Sequence, residues 1–438
     1  MFNLFKKKQS DNSSNSPAHE DWMNAQAQFE KAEYSNALST LIAGFKKDIY
    51  YQPLYELSGQ CLQKMGGEEE SKLFKQAANH LNANTFKQLG NHFYEAGHYP
   101  LTRIFLEEAF KLNKDLEVAN NLAIAYARRF DTRKAQETLG MVQDKFDFWA
   151  YWFYVKLKIL NNDKSNLDDS LKVLENAFDP NSQDENLRIP KQKVRELRES
   201  YERLVKLQTP EPSIRDWQFI QYGSVILNFF FSDDQYVAGG RHVASWGSNE
   251  SIKSILTLLT GLLESKKMAK IVYANDRDSQ IIGLALSKIS KIPAEAYHPE
   301  TTCQNALLLA ADASAFNEFQ DVEFITNNNI TFSFNQNWLQ PNYICPDIIG
   351  LMSQSYSYPW NGGNYKVKEG GEPIRTEPDL RDADAIAAEI ANSELKEVDN
   401  IDEFYQRVSN DLKMNQARGH RYNFMVESPV PGVYFGNN

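Results

Sequence analysis

Residues 85–115 read TFKQLGNHFYEAGHYPLTRIFLEEAFKLNKD, and this stretch decides the architecture of the first half of the chain. Leu89 and Phe93 before Gly97, and Ile104, Phe105 and Ala109 after it, follow the spacing of one apolar helix face. Gly97 supplies the turn, because glycine enters left-handed backbone without steric cost. The pattern predicts two antiparallel helices, with the small residues Gly90 and Thr102 at their crossing, where bulk would hold the backbones apart.

The same unit recurs outward from there. Ala25, Gly59, Gly90 and Ala123 are spaced 34, 31 and 33 residues apart, and 12 residues after each comes Ala37, Ser71, Thr102 or Ala135. A hairpin of this kind cannot bury its apolar face alone, so stacked hairpins building one continuous core are expected over residues 21–207. A degenerate fifth hairpin is expected over Trp149–Pro180, and a charged helix, Pro190–Leu207, is expected to cap the stack.

These features resemble the tetratricopeptide repeat family. The likeness rests on the paired small residues Gly90/Thr102 and Ala123/Ala135, on Phe93 and Tyr126 three residues into each pair, on Ala109, and on the turn glycines Gly66 and Gly97. Gln28 and Leu62 depart from it where an aromatic is usual, as does Lys75 at a normally apolar site. What the resemblance implies is a groove, lined by the first helix of each pair, that binds a protein or peptide. The groove-facing candidates are Lys87, Asn91, Tyr94, Asn120 and Arg128, with solvated polar residues on an exposed helix face as the alternative. Lys87 and Asn91, one turn apart, resemble half of the carboxylate clamp of some family members, and the second basic pair is not evident in the sequence.

Thr209–Ser213 (TPEPS) ends the helical region with two prolines, and 214–438 reads as an α/β domain with a mainly parallel sheet. Trp217–Phe231 reads as one or two strands bent near Gly223, Ser251–Ser265 as a helix, Lys270–Ala274 as a strand, Gln280–Ser290 as a helix, and Ala294–Tyr297 and Asn305–Ala311 as strands. One or two further strands are expected in Phe324–Phe334. An irregular segment with exposed aromatics is expected over 353–378, followed by helices Asp382–Ser393 and Ile401–Lys413 and paired strands in Tyr422–Phe435.

In a parallel sheet ligands bind beyond the carboxyl ends of the strands, which directs attention to the loop Asn275–Ser279. Asp278 or Ser279 is expected to cap the following helix, while Asp276 and Arg277 are better placed to face a ligand or to form a local ion pair. Asp312 joins them if its strand lies alongside. Two carboxylates and an arginine suit a phosphorylated or nucleotide-like molecule with Mg²⁺, although no cofactor or resident metal is assigned. Strand, acidic loop, helix and IPAEAY together resemble phosphoribosyltransferase-like and other Rossmann-like cores, without the paired acids and hydroxyl-rich phosphate loop of the former after Leu309. Gly239–His242 reads as a turn or a backbone anion site, and Cys303 as an incidental or buried thiol. The common motifs of dinucleotide, NTP, serine-hydrolase and zinc-protease chemistry are missing from the sequence.

At 438 residues and 42% hydrophobic, the chain is long enough for two or three domains. Residues 1–208 hold 29 basic and 29 acidic side chains, so the net charge of −11 belongs to the second half, where the 18 basic residues face 29 acidic ones. That half is expected not to bind nucleic acid. Three separated cysteines and the missing long apolar run point to a cytoplasmic protein with no transmembrane segment. Residues 1–20 read as a disordered tail, with weak membrane contact through residues 2–8 as the sharper reading. The sequence as a whole points to a protein-interaction scaffold. An enzyme or sensor of phosphorylated small molecules is the competing class.

Overall fold

The computed structural model describes residues 15–129, 131–179, 182–210, 212–228, 235–237, 243–319, 328–337, 345–353, 355–363, 365–366 and 374–398. The chain forms two compact units, residues 1–157 and 158–438. The expectations for residues 2–8, for Gly239–His242 and for the two elements after 400 lie outside the described residues.

The first unit is built from helical hairpins. They pair α1 (His19–Glu30) with α2 (Tyr34–Lys47), α3 (Gln52–Lys64) with α4 (Glu68–Asn79), α5 (Ala83–Glu95) with α6 (Tyr99–Leu112), and α7 (Leu116–Ala127) with α8 (Thr132–Gly140). Successive hairpins pack on one another, and α9 (Phe148–Leu160) follows. Gly66 and Gly97 turn their hairpins at φ +86° and +71°, where a side chain would be strained. The small residues do sit at the crossings: a Cβ on Gly90 would lie 2.2 Å from Leu106 Cδ2. At Gly59 the approach is close enough for buried Ser71 to donate its hydroxyl to the Gly59 carbonyl at 2.7 Å. Asn82 opens α5 with a capping box, accepting from the Thr85 amide while the Thr85 hydroxyl accepts from the Asn82 amide. Rings from consecutive hairpins interlock, with centroids 4.7 Å apart for Phe45–Tyr55 and 6.0 Å for Phe74–Phe93, and Phe93 stacks on Phe105 of its own hairpin at 6.0 Å.

The second unit begins with α10 (Leu167–Glu175), α11 (Arg188–Leu207) and α12 (Ile214–Tyr222). Arg198 on α11 clasps Glu175 and Asp168 of α10, and Arg203 donates to the carbonyls of Ile220 and Gln221 at the end of α12. α12 overturns the strand expected over Trp217–Tyr222. Ser213 and Asp216 form a reciprocal capping box, and Gly223 at φ +71° stops the helix. The aromatic and β-branched content that suggested a strand is the helix's buried face, Trp217, Phe219 and Ile220.

The strands then follow in chain order. They are β1 (Val225–Ile226), β2 (Gln235–Val237), β3 (Val243–Trp246), β4 (Lys270–Tyr273), β5 (Ala294–Ala296), β6 (Ala306–Asp312), β7 (Ile330–Gln336), β8 (Ile348–Met352), β9 (Ser355–Ser357), β10 (Tyr365–Lys366) and β11 (Ile374–Arg375). Six of them make one sheet in the order β1-β8-β7-β6-β4-β5, and every pairing in it is parallel. The fold class expected from the sequence, helical repeats followed by an α/β unit with a mainly parallel sheet, is the one observed. The remaining strands form a small mixed sheet, β2-β3-β9, and the β10-β11 ribbon.

Helices α13 (Asn249–Leu263) and α14 (Arg277–Ser290) cover one face of the large sheet, and α15 (Ala383–Asn392) packs on both of them. The apolar positions 252, 255, 256, 259, 262 and 263 of α13 are all buried there. On the other face a 3-10 segment, Ala313–Phe319, packs Phe316 and Phe319 against Val272, Leu308 and Ala310. Two aromatics of the irregular segment are buried rather than exposed. Tyr358 and Trp360 stack at 4.8 Å, with the tyrosine hydroxyl donating to the Ala311 carbonyl and the indole N–H to Asp278. Each polar tip has a partner, which is what allows the rings inside.

Candidate functional sites

Two places were marked by the sequence. The first is the face of the repeat unit formed by α5 and α7. Lys87 Nζ meets Glu117 at 2.8 Å and Asp115 at 3.4 Å, and Asn91 Nδ2 donates to Glu117 at 2.8 Å while its oxygen accepts from Asn121 at 3.1 Å. These two candidates therefore tie α5 to α7. The Glu117 hydrogen bond, aided by the Asp115 charge, raises the pKa of Lys87, while Asp115 is held low by its capping bond to the Val118 amide. Glu117 and Asn121 went unnoticed in the sequence, although they occupy the second and sixth positions of α7, one turn apart on a single face.

Tyr94 and Arg128 do come together, with Tyr99 as a third member. The Arg128 guanidinium carbon lies 5.7 Å from the Tyr99 ring centre, and the Tyr94 and Tyr99 rings meet edge to face at 6.3 Å. Burial pushes the Tyr94 hydroxyl up, Tyr99 adds to this, and Arg128 opposes it. Arg128 Nε is buried without a hydrogen-bond acceptor. A buried, unsatisfied donor on a cation is costly unless something accepts from it. Asn120 is half-buried one position before Asn121 and stands apart from this cluster.

The second place is the carboxyl end of the large sheet. From β4 the chain goes to β5 on one side and then crosses to β6 on the other, so strand order reverses between β4 and β6. Their carboxyl ends carry Asn275–Ser279 and Asp312, which makes this the crevice where such sheets bind ligands. The roles inside the loop differ from those expected. Asp276 is the N-cap of α14, accepting from the Ser279 amide at 2.9 Å. Ser279 is buried, and its Oγ accepts from the Ala311 amide of β6 at 2.8 Å. Asp278 holds the Trp360 indole at 2.6 Å and the Asn361 amide at 3.1 Å. Helix α14 begins earlier than its apolar run, so the cap moves two to three residues upstream of Asp278 and Ser279.

Arg277 is exposed, and its Nη2 donates to the carbonyls of Asp379 and Arg381 at 2.7 and 2.9 Å. Arg381 pairs with Asp379 at 2.6 Å and holds that carboxyl down at about 2. A cleft of about 370 Å³ opens here between Asp276, Arg277 and Gln280 on one side and Leu380, Arg381 and Asp382 on the other. The Asn275 amide, at the mouth of the strand-to-helix turn, donates to Glu318 at 2.7 Å. Asp312 accepts from Ser314 and from Asn335 Nδ2. Among the described residues no group of three or more His, Cys, Asp or Glu side chains is placed to hold a metal ion. Cys303 is buried, and burial raises its pKa.

No protein-family model matches the chain, and no curated protein matches it. Among solved structures it is similar to YrrB, a TPR protein with an unusual peptide-binding site. The match has 16% identity, covers 40% of this chain and 92% of that one, and gives a TM-score of 0.24. No helix among the described residues is long and apolar enough to cross a membrane.

Proposed function

We propose that the repeat unit is a protein-binding module that takes a peptide segment on the face formed by α5 and α7, with an acceptor group of that segment on Arg128. The observation that carries this reading is the Arg128 Nε, buried and without an acceptor beside the rings of Tyr94 and Tyr99. A peptide carbonyl or carboxylate there satisfies the donor, and an apolar side chain next to it packs on the two rings. Lys87 and Asn91 act in this reading as positioning residues, because they hold α5 and α7 in register through Glu117 and Asn121. The test is selection of displayed peptides on the full chain, followed by affinity measurement on variants. Arg128→Gln is expected to weaken selected peptides by at least about tenfold, the value of one charge-assisted hydrogen bond. Equal binding to the parent and to Arg128→Gln ends this reading.

A second reading gives the α/β unit a small anionic ligand, and the cleft beside Arg277 and Arg381 favours it. Thermal unfolding of the full chain with nucleotides, sugar phosphates and pyrophosphate tests it. A ligand at about 100 times its dissociation constant adds roughly 2.7 kcal/mol. Substitution of Arg277 should abolish the shift, and no shift with any of these compounds removes the reading.

A further inference from the structure

The repeat unit also carries a depression that Lys87, Asn91, Tyr94 and Arg128 do not line. It has a volume of about 440 Å³ and lies between the carboxyl end of α2 and residues 100–108 of α6, with Arg129 also in its lining. Its walls combine an apolar surface, Phe45, Ile49, Pro100 and Ile104, with cations from separate elements, Lys46, Lys47, Arg103 and Arg129. Such a mixture suits a peptide that alternates acidic and apolar side chains, since one wall attracts charge while the other removes hydrocarbon from water.

The charges on these walls are unevenly satisfied. Lys47 is engaged by Asp21 at 2.8 Å, but Lys46 is exposed and has no ion-pair partner among the described residues. Arg103 makes one long contact, from Nε to Glu107 at 3.4 Å, while its guanidinium lies 4.8 Å from the Tyr126 ring centre. Its two terminal nitrogens have no acceptor among the described residues. The pocket's own acids, Glu107 and Glu108, contact Arg103 and Lys111 at no less than 3.3 Å and are held more closely by tyrosines. Glu107 accepts from the Tyr126 hydroxyl at 2.7 Å and Glu108 from the Tyr50 hydroxyl at 2.5 Å. Burial, and then the like charge of Arg103, depress the pKa of Arg129.

We infer that this depression is a binding site for an acidic peptide segment of a partner protein, whose carboxylates meet Lys46 and Arg103 while an apolar side chain rests on Phe45 and Ile104. The occupant is argued from charge complementarity. Four cations, Lys46, Lys47, Arg103 and Arg129, line the depression against two carboxylates, Glu107 and Glu108, which leaves the lining positive. Planar guanidinium groups favour carboxylate or phosphate partners in two-pronged contact. Arg128 does not line this site.

The test uses the full chain and a fluorescein-labelled peptide of alternating Glu and Phe residues, with a Gln-for-Glu peptide as the neutral probe. Fluorescence anisotropy is expected to give saturable binding of the acidic peptide, at least about tenfold tighter than the neutral one and weakening with salt. Lys46→Gln combined with Arg103→Gln should remove that preference, whereas Arg128→Gln should leave it intact. A phosphoserine-for-Glu peptide that binds more tightly than the Glu peptide, and is also lost in the double variant, assigns the anion as phosphate. Lys46→Glu alone, at an exposed position, guards against a folding defect and should also abolish binding with an unchanged melting curve. Equal affinity for acidic and neutral peptides, or undiminished binding in both Lys46→Glu and the double variant, overturns the inference.

Discussion

The Gly90 crossing offers the most direct test of why the hairpins form where they do. In Gly90→Ala the added methyl carbon would sit 2.2 Å from Leu106 Cδ2, 2.5 Å from Leu106 Cγ and 3.2 Å from the Leu106 backbone nitrogen. Leu106 is fully buried, so its side chain has no solvent to retreat into. Contacts to both the branch carbon and the backbone mean that α5 and α6 must separate, which puts the cost near the upper end of the roughly 1–3 kcal/mol typical of overpacking. Alanine is the better helix former by about 1 kcal/mol, and this offsets part of it. The expected net loss is about 2 kcal/mol, a factor of about 30 in the opening equilibrium. Hydrogen exchange read by mass spectrometry on the full chain should show it as faster exchange in peptides covering α5 and α6, with the α/β unit unchanged. The control is Gly261→Ala on α13, where an added Cβ meets nothing within 4 Å and a gain of roughly 0.5–1 kcal/mol is expected. If Gly90→Ala protects α5 and α6 as well as the parent does, Leu106 moves aside freely and the close crossing is not what demands a small residue.

Ser279→Ala should destabilise the α/β unit by about 1–3 kcal/mol, because it strands the Ala311 amide in a dry interior, and urea unfolding with an unchanged slope would register it. Asp276→Ala removes the cap of α14 and should cost about 1 kcal/mol by the same assay, while Asp276→Asn should cost far less. Tyr50 titrates late, at about 12 rather than 10.0, because of burial and then the Glu108 hydrogen bond. A raised folded pKa means that its contribution is fully present below pH 10 and lost as the pH climbs through 12. Tyr50→Phe should therefore flatten the alkaline loss of stability in that window, as followed by circular dichroism, and an unchanged profile would contradict the assignment.

The repeat unit was legible because its period is local. Small residues at the crossings and glycine at the turns are set by contacts between helices only about 12 residues apart, such as Gly59 with Ser71. The sheet was legible wherever a strand is a buried run, as in Ala306–Asp312, and β4 and β6 do lie side by side. Misreadings came where one residue type serves two structures. Trp217, Phe219 and Ile220 have the composition of a strand, yet Ser213 and Asp216 already spelled a capping box. Inside the Asn275–Ser279 loop, several residues suited to capping lay in a row, and the choice of Asp276 depends on Trp360 and Asn361 claiming Asp278 and on Ala311 claiming Ser279. Those partners lie 32 to 83 residues away, beyond what local spacing can report.

The place of β1 in the sheet has a consequence for how the chain matures. Val225 pairs with Ile348, so the strand first synthesised in this sheet borders one made about 120 residues later. At roughly 5–20 residues per second, a ribosome leaves β1 without its neighbour for about 6 to 24 s. The hairpins of the first unit, by contrast, close within a few dozen residues of their own synthesis. Nascent-chain proteolysis should therefore find the repeats protected early and the sheet protected only after β8 has left the exit tunnel. In that interval the Val225–Leu227 segment is the exposed apolar strand that a chaperone would shield.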